Sequence, residues 1–262
     1  MNSLYLKAEE LSEPIPRNDY RYRHITRILK KTVGDCVAAC CSDGTVGSAR
    51  IASIDDSGIR LAYEPKAPAP DLRPIRLLLG FPRPIQAGRI LKDLTTLGVS
   101  SIWLVLTDTS EKSYAESDFF RKKDFESHLI EGAEQAGNPR LPVVRTFWSL
   151  DRALSEPEPE PEPVPEPVAA RSFAPTASVP APKRSETRIV LHVGGASPSL
   201  AETPLGSSVS LAVGSERGWT ERELSLFGEH GFLCCSLGDR ILKTETATVA
   251  AVSIVLARLG YM

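Results

Sequence analysis

The stretch LGDRILKTETA (residues 237–247) connects two apolar segments near the C-terminus. It follows the apolar run at 232–237, which has the length of a strand, and it leads into an apolar segment of helical length. A second stretch, VGSERGW (213–219), likewise follows an apolar run and precedes a helical pattern. Turns from a strand into a helix expose several unpaired backbone N–H groups. We therefore expect these two turns to hold a polar cofactor.

Strand-like and helix-like segments alternate from residue 75 to the C-terminus. The predicted strands are residues 75–81, 101–106, 188–193, 209–213 and 232–237. The predicted helices are residues 86–97 and 118–136, a helix that begins at the capping box Thr220-Glu221-Arg222-Glu223, and residues 246–259. This alternation predicts a parallel α/β sheet with helices on its faces. Because the last helix is apolar nearly all round, we expect a second subunit to bury part of it.

The first 70 residues predict a separate small β-rich domain. Short apolar runs at 37–41, 46–54 and 59–63 alternate with turn residues, as in a set of β-strands. Prolines within 65–74 predict an interdomain linker, so that the second domain comprises residues 75–262. Residues 156–185 begin as a Glu-Pro repeat, and this composition predicts an extended or disordered insertion in a surface loop.

A basic segment, RNDYRYRHITRILKK (17–31), precedes the predicted strands. It has six basic residues, one acidic residue and two tyrosines, a composition that suits contacts with RNA phosphates and stacking on RNA bases. The alternative interpretation is a solvated helix with Ile25, Ile28 and Leu29 facing the core. The two interpretations are compatible, because a helix can pack one face against the core and expose the other face to RNA.

The overall composition excludes several classes of protein. The formal net charge is −2, so a nucleic-acid site must be a local patch. Residues 247–257 form the longest nearly continuous apolar run, which is short of the roughly 20 residues that span a bilayer. No N-terminal stretch has the pattern of a secretory signal. We therefore expect a cytoplasmic protein with no membrane contact.

The five cysteines predict neither a metal site nor a disulfide framework. Their spacing at positions 36, 40, 41, 234 and 235 matches no zinc-binding motif, and their number is odd. Cysteines within apolar runs commonly act as small hydrophobic residues. We expect that role here, and no bound metal.

Several stretches together carry a likeness to a known family. They are HITRIL (24–29) with Gly34-Asp35 after it, LGV (97–99), EKS (111–113), EGAEQAGNPRLP (131–142) and the stretch at 237–247. In this order and spacing they resemble the ribosomal RNA uridine-N3 methyltransferases of the RsmE type, in the SPOUT superfamily. The likeness covers nearly the whole chain outside 156–185. The chain departs from the family at Thr96, Ser215 and Arg217, where the family has Glu, Pro and Gly.

The resemblance implies an architecture and an activity. The N-terminal domain (1–70) would be a small PUA-like β-barrel that binds RNA, and residues 75–262 would form a trefoil-knotted α/β methyltransferase domain. S-adenosylmethionine would bind in the knot at a homodimer interface. The product would be N3-methyluridine in 16S ribosomal RNA, so the partner would be small-subunit ribosomal RNA or the 30S subunit.

Three turns become the candidate cofactor site through this resemblance. Their candidate residues are His192, Val193, Gly194, Gly214, Ser215, Glu216, Gly218, Leu237, Gly238, Arg240, Ile241 and Leu242. Backbone groups would pair with the adenine edge, while Leu237, Ile241 and Leu242 would pack on its faces. The alternative is that the glycines serve only turns and helix caps.

Charged residues of the basic segment and of the second domain are the candidates for catalysis and RNA binding. Arg240 and Glu245 could orient a substrate phosphate or stabilise the negative charge that develops on uracil. The alternative is an ion pair between them or with the helix N-terminus. The RNA-binding candidates are Arg17, Arg21, Arg23, His24, Arg27, Lys30, Arg121 and Arg140, with Glu134 and Gln135 also placed on the RNA side of the site. No residue stands out as the base that removes the N3 proton.

Two other functions compete with methyl transfer. A non-catalytic RNA-binding protein that keeps the SPOUT fold is suggested by the altered loop at 214–218. A Rossmann-type dinucleotide enzyme is disfavoured, because no Gly-x-Gly-x-x-Gly motif follows the early strands.

Overall fold

The structure is a computed structural model that describes residues 2–157, 185–194 and 197–262. These residues form two compact units. The first unit contains residues 2–71 and 133–140, and the second contains the rest. Apart from its ends, the predicted Glu-Pro insertion at 156–185 lies outside the described residues. In the described part of the chain, every helix is too short or too polar to cross a membrane.

The first unit is built on a four-stranded sheet. Its strands are β1 (Leu4–Leu6), β2 (Cys36–Cys41), β3 (Thr45–Asp55) and β4 (Gly58–Pro68), in the order β1-β2-β3-β4. β1 is parallel to β2, and the other pairs are antiparallel. The chain after β1 returns to β4, where Ile15 and Ile59 exchange two backbone hydrogen bonds of 2.7 and 2.9 Å. The Ile15 and Ile59 side chains are buried in the core of this unit.

Most of the predicted linker at 65–74 is β-strand, and the boundary between the two units falls within it, after Asp71. β4 continues to Pro68, and the next strand begins at Arg73. Proline is tolerated in β4 because this strand lies at the edge of the sheet, where a missing N–H group leaves no neighbouring strand unpaired. Gly47 of β3 is paired with Pro65 of β4, and a Cβ atom on Gly47 would lie 2.1 Å from the carbonyl oxygen of Glu64. This close approach of the two strands requires glycine at position 47.

The basic segment forms a short helix that ends in a wider turn. α1 (Tyr20–Arg23) begins at Asp19, whose carboxylate accepts a hydrogen bond from the Arg21 N–H group (2.8 Å). A π-turn (His24–Ile28) follows, in which Leu29 N–H donates to the His24 carbonyl oxygen (2.9 Å).

The π-turn changes which side chains of this segment are buried. Ile25 is buried as predicted, but Ile28 is 69% exposed and Leu29 is 41% exposed. The prediction for these two residues is wrong because a π-turn adds a residue to the turn and rotates the following side chains away from the core.

The second unit contains a six-stranded sheet in which every neighbouring pair of strands is parallel. Its strands are β5 (Arg73–Gly80), β6 (Val99–Val105), β7 (Val143–Phe147), β8 (Glu186–Leu191), β9 (Ser208–Val213) and β10 (Leu233–Cys235). The order is β10-β8-β9-β5-β6-β7. The predicted parallel α/β sheet is thereby confirmed. β7 was not predicted, because this edge strand contains Arg145 and Thr146 and has no continuous apolar run.

The helices of the second unit follow the predicted alternation with one break. They are α2 (Pro84–Leu97), α3 (Lys112–Ala115), α4 (Asp118–Arg121), α5 (Glu126–Ala136), α6 (Leu150–Ser155), α7 (Glu221–Glu229) and α8 (Thr244–Arg258), although the last turn of α5 belongs to the first unit. The prediction of one helix over 118–136 is wrong, because the chain breaks between α4 and α5 at Lys123, whose φ is +58°. The predicted capping box of Thr220 and Glu223 is present at the start of α7.

Side chains alternate between the two faces of the sheet and build a core on each. Leu77 and Leu211 are paired in register and belong to the core that also contains α2 and α8 residues. Leu78 and Ala212 are the next pair and belong to the core that also contains α6 and α7 residues. One face of α8 is therefore buried in its own unit. The opposite face consists of small or uncharged residues, namely Thr246, Val249, Ala250, Ser253 and Ala257.

Candidate active site

The three candidate turns begin at one edge of the second sheet. β10, β8 and β9 are neighbours and run parallel, so their carboxyl ends lie together. The turns at 192–194, 214–218 and 236–243 leave from those ends. Loops that leave neighbouring parallel strands at the carboxyl edge are the usual place for ligands in α/β sheets.

The turn after β9 is closed by its own backbone. Gly218 N–H donates to the Ser215 carbonyl oxygen at 2.9 Å. Gly218 has φ of +70°, whereas Arg217 has no positive φ. A Cβ atom on Gly214 would lie 2.9 Å from the Gly218 Cα atom, so close packing requires glycine there. The Ser215 and Arg217 departures from the family pattern therefore fit this turn without backbone strain.

Residues that follow β5 and β6 hold this turn in place. The Thr109 hydroxyl donates to the Gly218 carbonyl oxygen (3.1 Å) and lies 3.1 Å from the Ser215 hydroxyl. Because Thr109 has one hydroxyl proton, Ser215 is the donor in the second bond. Glu216 accepts a hydrogen bond from the Arg83 N–H group (3.3 Å). A Cβ atom on Gly80 would lie 2.5 Å from the Ser215 nitrogen, which shows how closely β5 approaches the turn.

A charged network fixes the start of α7 beside the same turn. The Arg222 guanidinium donates to both oxygens of Asp108, at 2.9 and 2.8 Å. These bonds hold the pKa of the Asp108 carboxyl below its usual range. The buried Glu223 carboxylate accepts the N–H groups of Asp108 and Thr220, both at 2.9 Å.

The other two turns leave open space around their glycines. Gly194 and Gly238 both have φ of +116°, and a Cβ atom on either would meet nothing within 4 Å. The first turn is attached to β10 by the His192 N–H group, which donates to the Cys235 carbonyl oxygen (3.0 Å). These glycines are needed for their backbone conformation rather than for packing, and they leave room for a ligand.

The third turn and the first turn carry apolar side chains that differ in their exposure to solvent. Leu237 is half-buried against the core, and Leu242 is also half-buried. Ile241 is 86% exposed, and Val193 of the first turn is exposed as well. Exposed aliphatic side chains next to open backbone suit the faces of a flat ring.

The two catalytic candidates are both free of ion pairs. Arg240 is exposed, and Glu245 lies in the first turn of α8, where the helix dipole favours a negative charge. No ion pair of Arg240 or Glu245 is found within 4 Å among residues 2–157, 185–194 and 197–262. The two side chains are thus not paired with each other in this structure.

Some RNA-binding candidates of the first unit are exposed and free. Arg23, Arg27 and Lys30 are exposed, and none of them forms an ion pair with a described residue. His24 is half-buried, and burial lowers its pKa. Arg17 is exposed but paired with Asp56 at 2.7 Å.

Other candidates are engaged in the structure of the first unit. The Arg21 side chain is 12% exposed and pairs with Asp19 (2.8 Å) and Glu10 (3.2 Å). Arg140 donates to the Ala69 carbonyl oxygen (3.3 Å) and is 3.4 Å from Asp71. Both guanidinium groups therefore hold chain segments together. In the second unit, Arg121 is exposed.

Glu134 is also placed inside the first unit. It is 2% exposed and accepts hydrogen bonds from the Tyr5 N–H group (3.2 Å) and the Tyr20 hydroxyl (2.9 Å). The backbone carbonyl oxygen of the next residue, Gln135, accepts a hydrogen bond from the side-chain amide of Asn2 (3.2 Å). These contacts are with β1, with Asn2 before it and with Tyr20 of α1, so this segment has a clear structural role.

Sequence reasoning missed Arg83, Asp108 and Thr109 at the site. Each comes within a few residues of the end of β5 or β6. A signal was available, because polar residues directly after parallel strands gather at one edge of the sheet. Within the described ranges, no three His, Cys, Asp or Glu side chains are grouped as metal ligands.

Comparison with known proteins identifies the family. A model of the RNA methyltransferase domain matches residues 69–256. The chain belongs to this family. The ribosomal RNA small subunit methyltransferase E of Treponema pallidum is 36% identical over 98% of this chain and 91% of its own length. Its counterpart named methyltransferase E 1 in Borreliella burgdorferi is 28% identical over 99% of both proteins. The resemblance to RsmE-type enzymes is thereby confirmed.

A solved member of the family shares the fold. The crystal structure of ribosomal RNA small subunit methyltransferase E from Neisseria gonorrhoeae, bound to S-adenosyl methionine, has a TM-score of 0.69 and 20% identity. The superposition covers 98% of each chain. The α/β architecture is therefore that of RNA methyltransferases, and family membership favours an enzyme over the non-catalytic RNA-binding alternative.

Proposed function

We propose that this protein transfers a methyl group from S-adenosylmethionine to N3 of a uridine in small-subunit ribosomal RNA. The observation that carries the proposal is the set of three glycine-containing turns at the ends of β10, β8 and β9. The relatives from Treponema pallidum and Borreliella burgdorferi, which are named as small-subunit ribosomal RNA methyltransferases, support the choice of RNA.

The residues of these turns fit the methyl donor. Backbone groups beside Gly194 and Gly238 are open to an adenine edge, because each glycine lacks a neighbour where a Cβ atom would lie. Gly218 has the same open space, although its own N–H and carbonyl groups are hydrogen-bonded within the turn. Leu237, Ile241 and Leu242 supply apolar contacts to the ring. The donor, when bound, provides a methyl group on a positively charged sulfur. The full proposed set is His192, Val193, Gly194, Gly214, Ser215, Glu216, Gly218, Leu237, Gly238, Arg240, Ile241 and Leu242.

The protein's own residues contribute to the reaction by positioning the two substrates and by stabilising the charge that develops on uracil. Holding the reacting atoms in line contributes up to roughly 7–11 kcal/mol of barrier lowering. N3 of uracil must lose its proton, so the ring becomes more negative during the reaction. The unpaired Arg240 guanidinium has the sign needed to stabilise this charge, and Glu245 is the second charged residue for orienting the substrate.

We infer the domain roles and the assembly from the family. The first unit acts as a PUA-like RNA-binding barrel, and the second is the trefoil-knotted methyltransferase domain. The pairing of Ile15 with Ile59 supports barrel closure, since it brings the chain after β1 to the free edge of β4. The uncharged outer face of α8 supports a homodimer. A cytoplasmic location follows from a ribosomal substrate.

The proposed RNA contacts come from the exposed cations. They are Arg23, Arg27 and Lys30 of the first unit, with His24 beside them, and Arg121 of the second unit. Arg17 contributes only if its pair with Asp56 opens. Arg21 and Arg140 are kept out of this set, because their guanidinium groups are engaged inside the first unit.

The test uses the full-length protein, S-adenosylmethionine and 30S subunits from a strain that lacks this gene. We expect mass spectrometry of the ribosomal RNA nucleosides to show new N3-methyluridine. Arg240→Ala should reduce its formation by about 100-fold, as for loss of one charge-stabilising donor. Arg152→Ala removes an exposed arginine on α6 and is the matched control. No donor binding by calorimetry at millimolar concentration, or no N3-methyluridine, would contradict the proposal.

A further inference from the structure

A small groove lies next to the basic segment of the first unit. It has a volume of about 230 Å³. It is lined by the residues that lead into β1 (Asn2–Leu4), by the start of β2 (Cys36–Ala38) and by His24, Leu29 and Lys31. Sites for whole small-molecule ligands usually measure roughly 300–1,000 Å³. This groove is therefore of a size for one part of a larger ligand.

Unusual backbone geometry shapes one wall of the groove. The π-turn at His24–Ile28 is followed by Lys30, whose φ is +52°. Lys31 N–H then donates to the Ile25 carbonyl oxygen at 3.0 Å, which closes the wide turn. A left-handed lysine is unfavourable unless its surroundings require it, and π-turns are frequent at functional sites. This geometry turns Leu29 outward, so that it lines the groove.

The groove has both apolar and polar walls. Leu29 and Val37 are among its apolar lining residues, and Leu29 is 41% exposed. Asn2, Ser3 and His24 add polar groups, and the His24 imidazole makes no hydrogen bond to a described residue. Burial lowers the pKa of His24 and so favours the neutral ring, which can donate one hydrogen bond and accept another. An imidazole ring stacks readily on a nucleobase.

Three cations lie on the segment that forms one wall of the groove. Arg27 and Lys30 are exposed, and Lys31 lines the groove itself. None of these three side chains forms an ion pair with any residue that the structure describes. Cations without ion pairs on the segment beside a recess match a single-stranded nucleic acid, in which a base and its flanking phosphates are presented together.

We propose that this groove binds one unpaired nucleobase of the RNA substrate, while Arg27, Lys30 and Lys31 contact the flanking phosphates. The inference rests on the proposed function for the identity of the ligand as RNA. It adds that the first unit recognises a single-stranded position, since a base that is already unpaired enters a recess without the cost of unpairing and unstacking it from a duplex.

The decisive variant fills the groove without changing charge. Ala38 is exposed on β2 and lines the groove, so Ala38→Phe occupies the space. Ala62→Phe, at an exposed position on β4 outside the groove, is the matched control. Leu29→Ser, which removes the apolar wall at an exposed position, is a second variant in case Ala38→Phe does not fold.

Binding is measured by fluorescence anisotropy with a single-stranded RNA of about 12 nucleotides, a length within the range of single-strand sites. We expect Ala38→Phe and Leu29→Ser to weaken binding about tenfold, as for one lost stacking contact. The salt dependence of binding should stay unchanged, because no phosphate contact is removed. Ala62→Phe should bind as the wild type does, and a blunt RNA duplex should bind all four proteins alike.

Several results would overturn the proposal. One is an unchanged affinity for single-stranded RNA in both groove variants. Another is normal RNA affinity together with loss of cosedimentation with the 30S subunit, which would assign the groove to a ribosomal protein. Methylation of 30S subunits by the wild type is measured separately. If it fails, the proposed function falls while the anisotropy result still decides whether the groove binds a base.

Discussion

Thr109 holds together both ends of the turn at 214–218 through one hydroxyl group. It donates to the Gly218 carbonyl oxygen and accepts from Ser215, each at 3.1 Å. Serine at position 215 does not restrict the backbone as a proline would. In this chain two side-chain hydrogen bonds provide that restraint. We therefore expect Thr109 to position the proposed donor loop.

Thr109→Val should weaken S-adenosylmethionine binding about tenfold. The isosteric change removes two hydrogen bonds, each worth about 1 kcal/mol, and frees the turn. We expect the KM for the donor to rise while kcat changes less, and calorimetry measures the donor Kd directly. Thr109→Ser keeps the hydroxyl and should restore binding. Equal donor affinity in the valine variant would remove Thr109 from this role.

Lys30 combines a strained backbone with a proposed RNA contact. Its left-handed conformation costs a non-glycine residue roughly 1–2 kcal/mol. Lys30→Gly should therefore raise the free energy of unfolding by about 1 kcal/mol and also weaken RNA binding. Lys30→Ala loses the same charge but keeps the strain, so it should lose the same RNA affinity with no gain in stability. Thermal unfolding and anisotropy together check this, and a Gly variant that binds RNA as the wild type does would contradict it.

At the scale of elements, the end of α5 and the residues after it serve the first unit. Asn138 donates to the Pro70 carbonyl oxygen (3.0 Å), and Glu134 accepts from Tyr5 and Tyr20. Burial raises the pKa of Glu134 above its ordinary value of 4.5. A carboxyl group with a raised folded-state pKa stabilises the fold at low pH. This stabilisation is lost as the pH rises from the ordinary pKa through the folded-state pKa.

Glu134→Gln should make stability less dependent on pH. The amide oxygen can still accept from Tyr5 and Tyr20, and it carries no charge at any pH. We expect the stability of the wild type to fall relative to that of the variant as the pH rises above the ordinary carboxyl value of 4.5. Thermal unfolding of both proteins at a series of pH values on both sides of 4.5 is the measurement. A variant with the same pH dependence as the wild type would show that the Glu134 charge is not a cost to folding.

At the scale of the whole molecule, the outer face of α8 is the candidate surface for assembly. From Thr246 to Ala257 the helix carries no charged residue. Thr246 and Ala257 are exposed, and Val249, Ala250 and Ser253 are half-buried. Such a face is suited to contact with a second helix, because small side chains allow close approach. The turn at 236–243 leads directly into this helix, so the proposed assembly and the proposed donor site are connected through one element.

Ala250→Glu should convert the proposed dimer into a monomer. A charge in the centre of a closely packed interface is costly to bury. Sedimentation at micromolar concentration should show a dimer for the wild type and a monomer for the variant. Ser225→Glu places the same charge on the exposed face of α7 and should leave the dimer intact. A wild-type monomer under these conditions would contradict the dimer.

The sequence by itself determined the elements whose signals are local. Sequence patterns predicted the strands β5, β6, β8 and β9, the capping box at Thr220 and the apolar helix α8. These elements could be predicted because strand and helix periodicity depend on residues that are close together in the sequence. The sequence did not predict β7 or the break between α4 and α5 at Lys123. An edge strand needs no apolar run, and a left-handed lysine has no sequence signature.

Only the tertiary structure decided which charged residues are free. Arg140 and Glu134 belong to a stretch that resembles the family, and Arg21 belongs to the basic segment, yet each is engaged inside the first unit. Their partners lie as far as 129 residues away in the sequence, as for Glu134 and Tyr5. Burial and pairing depend on such distant contacts, so composition and spacing predict that a charge exists but not whether it is available to RNA.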